Sequence, residues 1–275
     1  KKDHQLKRPV FMSNLHLRII FGSIYVAVMV FSVLASSPYF EYLMAIFTFL
    51  SVRETAILAN KKSTQQIWVV PIIFGFSIVL ITIFGANTCN ITTIIVCWAI
   101  QILCLFLGYL WLKNRQQIGY VTTSVYVFLP LIVVAIWFSQ QTNLKAEYLL
   151  FYFTTIWLYD SMAYVVGKQW GKRPIFPIVS PKKTIEGTLG GLFLTLISMY
   201  VLNKFSFFLP VNPLVLCVII IFFAILGDFC ESYMKRIIGV KESGNLIPGH
   251  GGILDRMDSI YLSLLPYLVT LSIIG

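Results

Sequence analysis

Along the chain, apolar runs alternate with short polar breaks, and each run is about 18–22 residues long, enough for a helix to cross roughly 30 Å of hydrocarbon. Bounded by charge or by Gly, Pro and Asn, the runs fall at 18–36, 38–57, 67–85, 91–112, 119–138, 147–167, 184–202, 211–230 and 259–275. The pattern predicts an all-α integral membrane protein, a polytopic bundle of nine transmembrane helices. Two breaks are longer than the others, 168–183 after the sixth run and 231–258 before the ninth, and function is expected in them. No internal repeat or linker sets a soluble domain apart. The first five runs are chemically plainer than the last four. Residues 1–150 are therefore expected to form a supporting region and 151–275 the functional one.

Composition agrees, with 58% hydrophobic and only 12% charged residues, where a soluble domain carries about a quarter charged. The formal net charge of +10 raises the possibility of nucleic acid. The lysines and arginines, however, sit in short clusters between apolar runs and form no continuous basic arm, so no nucleic-acid partner is expected. Their distribution orients the bundle instead, because cytoplasmic loops collect Lys and Arg. With a cytoplasmic N-terminus, 19 of the 21 basic residues fall on the cytoplasmic side, leaving only Lys145 and Lys204 opposite. A missed or invented span would invert every later loop and scramble that count. The five cysteines form no CxxC pair and are read as packing residues. The basic start leads into the first run without a small-residue cleavage site, so the first helix is expected to remain.

The candidate chemistry is concentrated near the C-terminus. The segment 226–259 gathers Asp228, Glu231, Glu242, Asp255 and Asp258 beside Lys235, Arg236, Lys241, His250 and Arg256. Asp228 and Glu231 are spaced to share a helix face, with Lys235 one turn further along it. Ionisable residues at membrane depth are costly and are functional candidates by default, which also marks Asp160 in the second half of the sixth run. Carboxylates beside Lys and Arg suit a nucleoside triphosphate, supplying hard oxygen ligands for Mg²⁺ and cations for the polyphosphate. The Pro-Gly-His-Gly-Gly run from Pro248 could bring backbone amides close to phosphate oxygens. These residues alone point to metal-dependent phosphate chemistry at a membrane.

Three pieces of this segment together resemble the signature of bacterial phosphatidate cytidylyltransferases, also called CDP-diglyceride synthetases. They are Ser232-x-x-Lys235-Arg236, Lys241-Glu242-Ser243-Gly244-Asn245, and the run from Pro248 through Gly-His-Gly-Gly-Ile-Leu-Asp-Arg-Met to Asp258. The family usually has Lys-Asp where this chain has Lys241-Glu242. Upstream, Asp160-Ser-Met-Ala-Tyr164, Gly167-Lys168, Gly171-Lys172, Ser180-Pro-Lys-Lys-Thr184 and Glu186-Gly187 look like the family's second motif stretch. In the first 150 residues only Glu54 compares with a polar family position, near the end of the second helix.

The resemblance implies CTP and phosphatidate as substrates, and a phosphatidate oxygen attacking the α-phosphorus of CTP. Pyrophosphate leaves and CDP-diacylglycerol stays in the bilayer. It implies Mg²⁺ held by Asp228 and Asp255, with a second cation left open, and Lys235, Arg236 and His250 in the catalytic set. Lys182, Lys183, Lys235 and Arg236 would hold phosphates. Substrate contacts would extend to Asp160, Lys172, Ser180, Thr184, Glu231, Ser232, Lys241, Asn245, Arg256 and Asp258. It further implies a homodimer and a site on the cytoplasmic face of a bacterial inner membrane. The nearest alternative is a CTP-dependent lipid kinase of the dolichol or phytol type, which passes on the terminal phosphate. A CDP-alcohol phosphotransferase would need an Asp-Gly-x-x-Ala-Arg motif, which is absent. A transporter would also use embedded charges, but the paired broken helices expected of one do not stand out.

Overall fold

The computed structural model describes residues 14–35, 37–59, 73–78, 89–113, 118–140, 144–207, 209, 211–244, 246 and 251–274. His250 and Asn245 lie outside the described residues, as does all but 73–78 of the third predicted span. The helices are α1 (Asn14–Leu34), α2 (Tyr39–Ala59), α3 (73–78), α4 (Ile91–Lys113), α5 (Ile118–Ser139), α6 (Leu144–Trp170), α7 (Ile185–Leu202), α8 (Pro213–Ile238) and α9 (Leu254–Ile274). Among the described residues, five stretches are long and apolar enough to cross a membrane: Ile91–Leu110, Lys145–Trp170, Ile185–Phe207, Pro213–Ile238 and Leu254–Ile274. Shorter apolar helices cover Ile19–Leu34 and Thr123–Ser139. The architecture is nearly all-α, as the hydropathy pattern predicts.

Capping chemistry explains where α8 starts and stops. The Asn212 side chain accepts from the Leu214 amide at 3.0 Å, and Pro213 opens the helix with its fixed φ. Gly239 closes it at φ 81°, a left-handed conformation that glycine adopts without a Cβ clash. The amides of Gly239 and Val240 then donate to the carbonyls of Arg236 and Lys235. α8 thus runs eight residues beyond the predicted end at 230. Asp228 and Glu231 consequently lie within it, and α9 opens early enough to carry Asp255 and Asp258 in its first turns.

Helix α9 is the axis of the bundle, packed against α2, α4, α5 and α8 and buried along most of its length. Its polar residues are satisfied across helices, as a dry interior requires. Ser51 and Tyr261 share a 2.6 Å hydrogen bond, Tyr152 and Ser263 another of 2.6 Å, and the Tyr267 hydroxyl donates to the Tyr148 carbonyl at 2.7 Å. Helices α6 and α7 meet through small residues. A Cβ on Gly187 would stand 2.8 Å from the Ala163 carbonyl oxygen, and one on Gly191 would stand 2.7 Å from Ala163 Cα. Glycine at these positions lets the two backbones touch.

Contacts between helix ends sort the bundle into two sides. At one side, Lys183 before α7 pairs with Asp228 of α8, Lys235 of α8 with Asp255 of α9, and Tyr109 of α4 stacks on Tyr233 of α8. At the other, Phe40 of α2 meets Phe138 of α5, Lys145 of α6 donates to the Trp137 carbonyl of α5, and Phe151 of α6 meets Phe207. Helices α4 to α9 therefore alternate in direction.

The predicted loop 168–183 departs from an all-α reading. It holds an antiparallel hairpin of β1 (Pro174–Phe176) and β2 (Ser180–Thr184). Phe176 anchors it to α8 by packing on Phe229, with ring centroids 4.2 Å apart. Glu186 ties its base: one carboxylate oxygen accepts from the amides of Lys172 and Arg173, at 3.0 and 3.1 Å. Thr184 ends β2 and caps α7, its hydroxyl accepting from the Gly187 amide at 3.1 Å.

Candidate active site

The hairpin and the ends of α6, α7 and α8 enclose a cavity of about 540 Å³. Asp160 of α6 and Asp228 of α8 supply its carboxylates, while Lys168, Lys182 and Lys183 supply cations. Ser180, Thr184 and Thr188 add hydroxyl-bearing side chains, and Tyr159, Tyr164 and Phe176 add aromatic walls. Lys183 forms an ion pair with Asp228 Oδ2, and the Ser232 hydroxyl donates to Asp228 Oδ1 at 3.2 Å. Even a half-buried carboxylate gains from such partners, because isolated charge in a medium of low dielectric is strongly disfavoured.

A second cluster lies further along α8. Lys235 Nζ is 2.5 Å from Glu231 Oε2 and 2.5 Å from Asp255 Oδ1, so one ammonium serves two carboxylates. Glu231 is sealed from solvent, and among the described residues no other donor reaches its oxygens. Asp255 is more richly held, since its Oδ2 accepts from the amides of Ser243 and Gly252, each at 2.9 Å. The Ser243 hydroxyl is 3.0 Å from the same oxygen. Asp258, in the first turns of α9, accepts from the Ser259 amide at 2.6 Å, and its charge acts on both Asp160 and Glu231.

Residues expected in one site are thus divided. Asp160, Ser180, Lys182, Lys183, Thr184 and Asp228 line the cavity, with Ser232 behind Asp228. Glu231, Lys235 and Asp255 form the adjoining ionic cluster and are not among the lining residues. Arg236 is exposed and donates to the Val240 carbonyl at 2.8 Å, and the side chains of Lys172 and Lys241 are exposed. Arg256 is exposed as well, though its charge acts on Asp160 and Asp258. Sequence reasoning passed over Tyr159, Thr188 and Ser259, which also line the cavity. Helical spacing was the available signal for two of them: Thr188 lies one turn after Thr184, and Tyr159 adjoins Asp160.

Among the described residues, no three His, Cys, Asp or Glu side chains form a ready-made metal cage. Mg²⁺ does not require one, since it is commonly held by one or two carboxylates together with substrate phosphates. Asp228 and Asp160, facing one cavity, fit that requirement. Both oxygens of Asp228 are engaged by Lys183 and Ser232, and both of Asp255 by Lys235, Ser243 and Gly252, so a metal would displace a protein donor at either carboxylate.

Three similar proteins are named phosphatidate cytidylyltransferase. That of Staphylococcus saprophyticus subsp. saprophyticus is 40% identical over 161 residues, 57% of this chain and 60% of the relative. That of Staphylococcus haemolyticus is 48% identical over 124 residues, 44% of this chain and 47% of the relative. That of Staphylococcus aureus is 44% identical over 134 residues, 48% of this chain and 51% of the relative. The chain spans about half, and at most 60%, of the length of these relatives. The broader family match is far longer: from residue 16 to residue 274, this chain belongs to the cytidylyltransferase family.

Proposed function

We propose that the chain is a membrane phosphatidate cytidylyltransferase, converting CTP and phosphatidate to CDP-diacylglycerol and pyrophosphate. The observation that carries this reading is the cavity itself, in which Lys182 and Lys183 on a docked hairpin face Asp160 and Asp228 in the second halves of apolar helices. CTP arrives from water, whereas the phosphatidate headgroup sits at the interface with its tails in lipid. A site at the ends of spanning helices serves both.

A phosphate monoester is already a competent nucleophile at neutral pH, so the protein supplies position and charge rather than a covalent nucleophile. Lys182 and Lys183 would bind the triphosphate and offset its charge as pyrophosphate departs. Asp228, with Asp255 as the family resemblance implies or with Asp160 across the cavity, would hold Mg²⁺, which when bound would neutralise phosphate oxygens and favour departure of pyrophosphate. Arrival of the nucleotide would draw Lys183 from Asp228 toward phosphate, leaving that carboxylate free to act as a ligand. Lys235 would keep Asp255 and Glu231 ordered beside the cavity. His250 and Asn245 belong to the same reading by family resemblance.

The reading includes nine crossings, a cytoplasmic N-terminus and a site facing the cytoplasm of a bacterium. The basic-residue count supports it, as does the gathering on one side of helix ends that an alternating bundle would place together. Pairing of two copies, which the resemblance implies, is checked by cross-linking in the bilayer.

The test uses purified protein, phosphatidate, Mg²⁺ and CTP labelled separately at the α- and γ-phosphates. α-Label in lipid with pyrophosphate released is expected. γ-Label in lipid would replace this reading with a lipid kinase, and no transfer of either label would end it. Asp228→Asn should lower turnover by about 100-fold or more while leaving folded protein, as expected for loss of charge stabilisation at the reacting centre.

A further inference from the structure

We propose that Glu54, supplied by α2 from the N-terminal half, is a positioning residue that fixes the entry of α9 and thereby the placement of Asp255, Asp258 and Ser259 beside the cavity. The side chain is 2% exposed, yet it is fully engaged. The Ile253 amide donates to Oε1 at 2.9 Å, the Leu254 amide donates to Oε2 at 2.8 Å, and the Ser243 hydroxyl lies 2.8 Å from Oε2. Ile253 and Leu254 sit at the start of α9, where backbone amides have no partner within the helix and the helix dipole favours negative charge. Glu54 satisfies these amides from a different helix.

The surrounding chain is shaped around this carboxylate. A Cβ on Gly252 would stand 2.2 Å from Glu54 Oε2, and one on Gly244 would stand 3.1 Å from Oε1. Glycine at Gly252 therefore serves close packing on Glu54 here. Ser243 connects the two acids, since its single hydroxyl hydrogen lies between Glu54 Oε2 and Asp255 Oδ2 and can be given to only one at a time. Lys235 then continues the contact from Asp255 to Glu231. Glu54 is not among the residues lining the cavity, so its influence passes through α9.

Glu54→Gln is the direct test. Both carboxylate oxygens accept backbone hydrogens, whereas an amide accepts with one end only and must turn its NH₂ toward a donor. The kinetic expectation rests on the cytidylyltransferase reading: turnover of CTP and phosphatidate should fall on the order of 10- to 100-fold with little change in KM for CTP, as misplacement of reacting groups predicts. Glu54→Asp, which keeps both acceptors, should recover part of that loss. Amide exchange of 251–256 in lipid nanodiscs provides a readout independent of turnover, and exchange there should accelerate in Glu54→Gln. Unchanged exchange, or faster exchange with unchanged turnover, would overturn the proposal. If Glu54→Gln does not assemble, Glu54→Asp takes its place: its carboxylate is one methylene shorter, so exchange of 251–256 should still accelerate, and unchanged exchange in that variant overturns the proposal equally. Wild-type protein that makes no CDP-diacylglycerol removes the enzymatic reading, while exchange still decides whether Glu54 holds the entry of α9.

Discussion

Lys235 is the residue on which the ionic cluster balances. Its ammonium is the counter-charge of Glu231, which is 2% exposed, and of Asp255. A buried ion pair contributes little net stability relative to apolar packing, but removing one partner leaves an uncompensated charge at a cost of about 3–5 kcal/mol. Lys235→Met keeps most of the side-chain volume and removes the charge, so it should lower thermal stability in detergent by that order. The two acids are not left equally exposed to the loss. Asp255 retains the amides of Ser243 and Gly252, whereas Glu231 retains no described donor. Adding Glu231→Gln to Lys235→Met should therefore raise the melting temperature above that of the single variant. A double variant melting lower than Lys235→Met would show that Glu231 is neutralised by something other than Lys235.

At the scale of elements, two glycines separate steric cost from conformational cost. Gly191 faces backbone and side-chain atoms of Ala163 within 2.8 Å of an added Cβ, whereas Gly239 has nothing within 4 Å but sits at φ 81°. Gly239→Ala should cost about 1–2 kcal/mol, the penalty of placing an L-residue in the left-handed region. Gly191→Ala must push α6 and α7 apart, with overpacking of about 1–3 kcal/mol or more, and it also shifts Asp160 relative to Lys183. Thermal melts rank the two losses, and only Gly191→Ala should raise KM for CTP. Equal effects on KM would detach the α6–α7 seam from the cavity. Helices were legible where apolar runs of membrane length gave a strong signal, and five among the described residues are long and apolar enough to cross a membrane. The hairpin was not: β1 has three residues, and β2 is Ser-Pro-Lys-Lys-Thr, without alternation or apolar content. Its order comes from Phe176 on Phe229 and from Glu186, partners that local sequence does not show. The acids were legible as a group by their density in an apolar chain. Their division into a cavity and an ionic cluster was not, because it depends on α8 continuing to Ile238 and on Glu54, whose partners lie 199 and 200 residues away.

For the whole molecule, the charge pattern and the packing group the helix ends in the same way by different routes. In the nine-crossing arrangement nineteen basic residues fall on one side, and that count uses no contact between residues. The packing uses no charge count, yet Glu54 at the end of α2 meets Leu254 at the start of α9, and Tyr109 near the end of α4 meets Tyr233 near the end of α8. Helix ends reached after an even number of crossings share a side, and both contacts join such ends. Lys204, in the π-helical turn Asn203–Phe207, and Lys241, after α8, should then lie on opposite faces of the membrane. Single cysteines at these two positions in a cysteine-free background decide it, using a maleimide that does not cross lipid. Lys204→Cys should react in intact cells, whereas Lys241→Cys should react only after the membrane is opened. The reverse pattern would invert the bundle and move the cavity to the outer face, away from the cytoplasmic supply of CTP. Reaction of both in intact cells would mean that α8 does not cross, and the helix carrying Asp228, Glu231 and Lys235 would then need a different burial.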